Sequence, residues 1–425
     1  MLRLRGGLTT RGRCLLAAGL AAALCAVLLE ERDLLRVAAF AMVLPLLAAL
    51  VVRLTQVRLR ATREPEPPRI PVGSDCQVRL VVRCTGRCNA KLLLEDGLPS
   101  ALGSSVTDSC ARFAVARLPR DRAVRLSYPL HLVERGVHTL GPLVAQITDP
   151  FGLTEYSCTL AGRSRLVVTP VVVPLTGLPT GGELGNSTTG AGRMGAGPGQ
   201  DTVVVRSYRQ GDDLRQVHWR TTARRGELMV RVQEWPWRGG TTVLLDHRTA
   251  AHRGSGPTSS LEYAVSLAAS VYVHLVRHGQ RVRLVTEDGV ARVGGTDVTD
   301  HTIDTGLDAL AALRASHQPD LASGSALVGG QEIVAVLGAV GPAAVEQLLA
   351  HRPRGRCSHA VLLDVAAWNS AGDNSPAAAL PDPAQAARLL AAAGWSVTVA
   401  RPDQPLSLVW DRLCISSRNK REALR

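Results

Sequence analysis

A chain of 425 residues is long enough for two or three domains and a sizeable core. Its net charge of +13 would suit a nucleic-acid or anionic-lipid partner, but of 49 basic residues only Lys91 and Lys420 are lysine, while Ala and Gly abound and Phe, Tyr and Met are scarce. The arginine excess therefore reads as genomic composition rather than as a phosphate surface, which interleaves aromatics with its charge, and the lysine shortage excludes a P-loop, because neither lysine follows a glycine.

The first predicted elements are two apolar spans, at about residues 14–29 ("CLLAAGLAAALCAVLL") and 34–52 ("LLRVAAFAMVLPLLAALVV"). The first is slightly short of the roughly 20 residues that cross a bilayer and the second is close to it. Arg36 can snorkel from the helix end, and Pro45 is expected to kink the second helix. Arg3, Arg5, Arg11 and Arg13 precede the pair, Arg53, Arg58, Arg60 and Arg63 follow it, and the turn carries Glu30, Glu31 and Asp33. The positive-inside rule then predicts a two-pass plasma-membrane protein with both termini cytoplasmic, and the bilayer as its first partner. A cleaved signal peptide is disfavoured, because no small-x-small site follows and a second apolar span comes at once. Residues 1–63 are thus read as a tail plus two transmembrane helices.

Beyond a proline-rich spacer, "REPEPPRIPVG", short alternating runs follow, such as "CQVRLVVRC", "AKLLLED" and "AVRLSYPLHL". Split by Gly, Pro, Asn and Asp, they predict a small antiparallel β-sandwich over residues 64–172. The nine cysteines show no framework spacing. Cys84 and Cys88 are the one close pair, with no second pair to complete a zinc site, so free thiols in a reducing compartment are expected. Residues 173–200 read as a flexible Gly-rich linker.

Residues 201–240 hold the densest chemistry. "RSYRQGDDLRQVHWRTTARRGELMVRVQEW" (206–235) packs seven arginines, Gly-Asp-Asp, a histidine and two tryptophans. It reads as strand, tight turn at Gly211, short helix capped by Asp212 or Asp213, and strand. Arg206, Arg215 and Arg224 are placed to bond the aspartates and exposed carbonyls.

From residue 241 to 425 the rhythm becomes β-α. "TTVLLD", "RVRLVTE", "EIVAVLGAV", "AVLLDVA" and "SVTVA" are strands, and helices such as "SLEYAVSLAASVYVHLVRHG" alternate with them. This predicts an α/β Rossmann-like domain with a mostly parallel sheet. His274 and His278, at i,i+4, lack a third ligand and read as polar residues on the solvent face of an amphipathic helix. There is no Gly-x-Ser-x-Gly elbow, no Gly-x-Gly-x-x-Gly between a strand and a helix, and no cysteine in a catalytic context.

The alternation resembles a von Willebrand factor A domain, which carries Asp-x-Ser-x-Ser for a divalent cation after its first strand. Here that strand ends in "DHRTA": Asp246 matches the acid, but Arg248 and Ala250 replace the hydroxyls. A hard cation needs oxygen ligands, so Asp246 is read as a degenerate metal-site position, paired with an arginine or left at the rim. Asp364 is a second strand-end acid.

The dense stretch itself resembles the bacterial family called domain of unknown function number fifty-eight. Tyr208, Gly211, Asp212, Arg215 and Trp219 fit its pattern, Val217 replaces an Ile, and Ala223, Arg224, Leu228 and Val230 fit the continuation. Upstream, "ERGVHTLGPLVAQITDPFGL" (134–153) resembles the family's lead-in, so that the resemblance takes in nearly the whole chain. It implies a membrane-anchored protein with an A-like domain, no catalytic activity and no cofactor. Its implied partners are a MoxR-type AAA+ ATPase and a transglutaminase-like membrane protein. The expected role is a scaffold or adaptor in assembly or remodelling of envelope proteins, not an enzyme. Arg206, Tyr208, Gly211, Asp212, Arg215, His218, Trp219 and Arg224 then form a clamp or docking surface. Two alternatives stand beside it. One is a metal-dependent hydrolase or nuclease using Asp212, Asp213, His218 and Glu227 with Asp246 or Asp364. The other is a protein binding anionic lipid or nucleic acid, although no nucleic acid is expected.

Overall fold

A computed structural model describes residues 5–54, 58–85, 91–99, 110–115, 123–179, 203–207, 222–224, 229–233, 240–293, 300–318, 320–321, 332–350, 358–368 and 380–423. The chain divides into two units, Met1–Thr169 and Pro170–Arg425.

In the first unit a short strand β1 (Arg5–Leu8) leads directly into α1 (Thr10–Leu29) and α2 (Arg32–Leu54). Both helices are long and apolar enough to cross a membrane. They pack through small residues: Ala26 and Ala38 are buried, and a β-carbon on Gly19 would meet Met42 Cγ at 2.8 Å. Leu24, Val27, Leu28 and Phe40 are exposed, the outward apolar surface a lipid solvent requires. Pro45 lies within an otherwise continuous α2, and Arg36 pairs with Asp33 at 2.8 Å.

The strands that follow are β2 (Arg58–Glu66), β3 (Arg69–Pro71), β4 (Asp75–Thr85), β5 (Lys91–Gly97) and β6 (Cys110–Val115). They continue with β7 (Ala123–His131), β8 (Gly136–Leu140), β9 (Leu143–Thr148), β10 (Thr154–Ala161) and β11 (Ser164–Thr169). They form a five-stranded sheet β1-β10-β9-β5-β6 and two three-stranded sheets, β2-β4-β7 and β3-β11-β8. Pairing is antiparallel except between β3 and β11. Alternating residues of all three sheets (Leu80 and Val82; Leu94 and Ile147; Ile70 and Leu166) meet in one core. Two boundaries therefore differ from the sequence reading. Residues 5–8 are a sheet strand rather than a tail, and the sandwich takes up the chain from Arg58, so that Arg63 belongs to it.

In the second unit, β12 (Val203–Ser207) and β13 (Met229–Gln233) pair as an antiparallel ribbon. A six-stranded sheet follows, made of β14 (Thr241–Leu245), β15 (Val282–Thr286), β16 (Ala291–Val293), β17 (Glu332–Leu337), β18 (Ser358–Leu363) and β19 (Ser396–Ala400), in the order β16-β15-β14-β17-β18-β19. All neighbours are parallel except the β15–β16 pair. The helices are α3 (Ser260–Arg277), α4 (Asp300–Ala312), α5 (Pro342–Ala350), α6 (Pro383–Ala392) and α7 (Leu406–Ala423). Side chains of α3, α4 and α7 pack with Val243, Leu245 and Val361 on one face of the sheet; those of α5 and α6 pack with Leu244, Ala335 and Leu362 on the other. Burial on both faces explains why β14, β17 and β18 read as unbroken apolar runs.

Three features depart from the sequence reading. Helix α3, capped by Ser259, is buried almost all round from Ala264 to Val276 rather than amphipathic. His274 is accordingly not on a solvent face. It is buried, donates from Nε2 to the Gly177 carbonyl at 2.8 Å and packs edge-on against Trp410. Residues 170–179, of which the sequence assigns 173–179 to a linker, are pinned to the α/β unit. Val173 N–H donates to Ser270 Oγ (3.0 Å), Thr176 donates to Asp411 (2.9 Å) and Leu175 is buried in the core. The Gly-rich run 180–200 lies outside the described residues.

Candidate functional site

The sheet is wound both ways from β14: β15 lies on one side and β17 on the other. The carboxyl end of such a strand is where open α/β sheets bind ligands. Asp246 stands there, fully buried, its backbone N–H donating to the Val336 carbonyl at 2.9 Å. Its carboxylate is taken by Arg248: Nε donates to Oδ1 at 2.9 Å, Nη2 to Oδ2 at 2.8 Å, and the Arg248 backbone N–H to Oδ1 at 3.2 Å. Burial opposes the guanidinium charge, but the bond to Asp246 and the charges of Asp246, Glu287 and Asp320 outweigh it and hold the Arg248 pKa above its ordinary value. Arg248, two residues past Asp246, is thus itself the ion-pair partner of the acid.

Around this pair lies a shell of imidazoles and acids. His247 Nδ1 contacts Glu287 Oε2, and the His247 backbone N–H donates to the same oxygen at 3.3 Å. Glu287, just past β15, is fully buried, and its Oε1 has no hydrogen-bond partner. His252 donates from Nε2 to the Asp246 carbonyl at 2.9 Å, and its Nδ1 faces Ser260 Oγ at 3.1 Å. Burial lowers the His252 pKa, offset in part by Asp246, so the ring is neutral near pH 7. Farther along the edge, Arg401 Nε donates to Asp364 Oδ2 at 3.2 Å. This pair lines a cleft of about 410 Å³ with Ala339, Leu380 and Asp382, the cap of α6. Both strand-end acids of β14 and β18 are therefore held by arginines two and 37 residues away. Among the described residues no three His, Cys, Asp or Glu side chains cluster as a metal-ligand group.

The dense arginine stretch is described only at its edges. Arg206 lies on β12 opposite Val230, residues 222–224 are helical and Arg224 is exposed. Tyr208, Gly211, Asp212, Asp213, Arg215, His218, Trp219 and Glu227 lie outside the described residues, and with them most of the clamp reading and the Asp212, Asp213 and Glu227 carboxylates of the hydrolase alternative. Seven cysteines are described, and all are free thiols.

A second polar cluster, unforeseen in the sequence, lies inside the strand unit. Arg63 and Asp96 have side chains only 2% and 0% exposed. Arg63 Nε donates to Asp96 Oδ2 at 2.9 Å, and Nη2 contacts Oδ1. Arg63 Nη1 reaches the carbonyls of Leu140 (3.2 Å) and Gly162 (3.1 Å) and Ser164 Oγ (2.9 Å), while the Tyr128 hydroxyl donates to Asp96 at 2.7 Å. Burial, then Asp96, pushes the Tyr128 pKa up. The "LGP" of the lead-in has its reason here. Gly141 has φ +90°, and a β-carbon on it would strike the Arg63 guanidinium at 2.5 Å.

Residues 204–330 match a family model described as "Protein of unknown function DUF58". The match covers the dense stretch and the α/β unit through α4, and not the near-whole chain that the resemblance suggested. The chain is 25% identical over 188 residues to an uncharacterized protein, YeaD, of Bacillus subtilis strain 168; the match spans 44% of this chain and 45% of that protein's length. Among solved structures, the CARDB domain of the PF1109 protein from Pyrococcus furiosus aligns at 9% identity over 24% of this chain and 87% of its own, with a TM-score of 0.17. A superoxide reductase from Ignicoccus hospitalis aligns at 15% over 26% and 81%, with a TM-score of 0.16.

Proposed function

We propose that this chain, a DUF58 protein by its residues 204–330, is a membrane-anchored scaffold or adaptor working with a MoxR-type AAA+ ATPase in assembly or remodelling of envelope proteins. The observation that supports this reading best is the Asp246–Arg248 pair. At the strand end where an A-type domain would present oxygens to a cation, this chain places a guanidinium on both carboxylate oxygens. A site closed from within leaves the surrounding surface, rather than a reacting centre, as what the fold offers a partner. The same pair supports an A-type-like ancestry for the α/β unit.

The anchor belongs to the same reading. The strands that flank the helical pair, β1 and β2, are both stitched into the strand unit. Two ends held in one folded body lie on one side of a bilayer, and the arginines flanking the pair favour the cytoplasmic side.

Two experiments test the reading. Affinity-tagged protein taken from its own membrane is expected to co-purify a MoxR-type ATPase, identified by mass spectrometry, and the ATPase is lost on Arg215→Ala with folding retained. Recovery of no AAA+ protein under in-membrane cross-linking counts against the role. For the ancestry, the double variant Arg248→Ser/Ala250→Ser restores Asp-x-Ser-x-Ser. It is expected to gain a melting-temperature rise with millimolar Mg²⁺ that the parent lacks. Identical behaviour of the two proteins in Mg²⁺ counts against an A-type origin.

A further inference from the structure

The start of α1 is not a free junction. Thr9 caps the helix, its Oγ1 accepting from Gly12 N–H at 3.2 Å. The same residue is bolted to the β9–β10 turn: its backbone N–H donates to the Leu153 carbonyl at 2.8 Å, and its hydroxyl to the Gly152 carbonyl at 2.7 Å. One turn into α1, a β-carbon on Gly12 would lie 2.2 Å from the Leu153 oxygen, so the helix and the turn touch backbone to backbone. The turn is rigid on its own account. Asp149 accepts the amides of Thr154 (2.7 Å) and Phe151 (3.2 Å), and Gly152 supplies the left-handed residue with φ +69°.

At the tip of this braced turn Phe151 is 66% exposed. It is one residue from the carbonyl that holds the helix cap, and so at the level where α1 enters the apolar phase. The Arg11 side chain, exposed on the first turn of α1, has Nη1 4.0 Å from where a β-carbon on Gly152 would lie. Where α2 returns, strand register sets Arg60 directly opposite Arg83, both exposed. Like charges facing each other across a strand pair are destabilising in water and are relieved by anionic groups between them.

An exposed aromatic beside arginines, at the entry of an apolar helix, matches what the bilayer–water interface selects. The geometry points to the Asp149–Leu153 turn, with Arg11, Arg60 and Arg83, being a phospholipid contact of the strand unit. Phe151 sits at the headgroup–acyl boundary, and the guanidiniums sit on lipid phosphates. The strand unit then rests on the bilayer instead of hanging from it. This inference depends on the helical pair spanning the membrane.

The test places p-benzoylphenylalanine singly at positions 151, 40 and 137 of the full chain in vesicles of phosphatidylethanolamine and phosphatidylglycerol. Position 40 is on the outer face of α2. Position 137 is exposed on β8, in the layer joined through β11 to β3 at the far end of β2. After irradiation, phospholipid adducts are expected at 151 and 40 and not at 137. In the Arg11→Gln/Arg60→Gln/Arg83→Gln variant the adduct yield at 151 no longer rises with the phosphatidylglycerol fraction. Adducts at 40 but none at 151, or a protein adduct at 151 in place of lipid, overturn the inference and leave the membrane anchor standing. Adducts at neither 151 nor 40 overturn both.

Discussion

Asp96→Ala is expected to destabilise the strand unit by about 3–5 kcal/mol, the cost of leaving a buried charge without its partner. Asp96 is the carboxylate that faces the buried Arg63 guanidinium. In the variant the guanidinium must either remain charged in the core or drag water in beside Tyr128. Loss of the Tyr128 bond adds to the cost, because the buried hydroxyl loses its acceptor. The double replacement Arg63→Met/Asp96→Leu is expected to recover much of the loss, since it removes both charges and fills the site with apolar volume. Stability of this unit can be followed by urea-dependent alkylation of Cys76 and Cys158, which are buried in its core. Tryptophan emission gives the internal control. All six tryptophans lie at position 219 or later, outside this unit, so their emission reads the other unit alone. An unchanged alkylation midpoint in Asp96→Ala would mean that the pair is paid for elsewhere in the sandwich.

The same pair shows where sequence reasoning reaches its limit. Apolar runs of bilayer length, period-two strands and the β-α alternation all depend on local composition, and all are recovered in the structure. Arg63 follows local rules too, as a basic residue after an apolar span, and in the sequence it counts as one of the charges flanking the helical pair. Only its partners, 33 to 101 residues away, make it a core residue. Strand β1 is illegible for a similar reason: Arg-Gly-Gly-Leu carries no strand pattern, and its pairing with β10 is long-range. Helix α7 had a readable stripe, Leu406, Val409, Trp410, Leu413 and Cys414, diluted by the charged turns after it. Asp246 was the opposite case. Its partner is two residues on, so the pairing lies within reach of the local sequence. The dense arginine stretch remains known by its residue types and by the β12–β13 ribbon that frames it.

His359 should set the acid limit of the α/β unit. It is the second residue of β18, is fully buried, and neither ring nitrogen has a hydrogen-bond partner. Its side falls with Val361 and Leu363, toward α7, whose Lys420 donates to the carbonyls of Ala391 (3.3 Å) and Trp395 (3.0 Å). Burial, with a smaller push from the Lys420 charge, lowers the His359 pKa to about 4. Unfolded, the same ring titrates near 6.5. Between those values the unfolded chain binds a proton that the native state refuses. Stability is therefore complete above about pH 6.5 and drains away as pH falls toward 4, by roughly 3 kcal/mol for this residue. His252 and His274, also lowered by burial, add slope of the same sign. His359→Leu removes two unpaired nitrogens without leaving a partner stranded. It should hold or raise stability at pH 7 and flatten the descent between pH 6.5 and 4. Urea titration of tryptophan emission reads this unit directly, because Trp368, Trp395 and Trp410 are buried in it. A variant with the parent's pH slope would show that the acid limit lies with His252 and His274 instead, and that β18 tolerates a charged imidazole at its amino end.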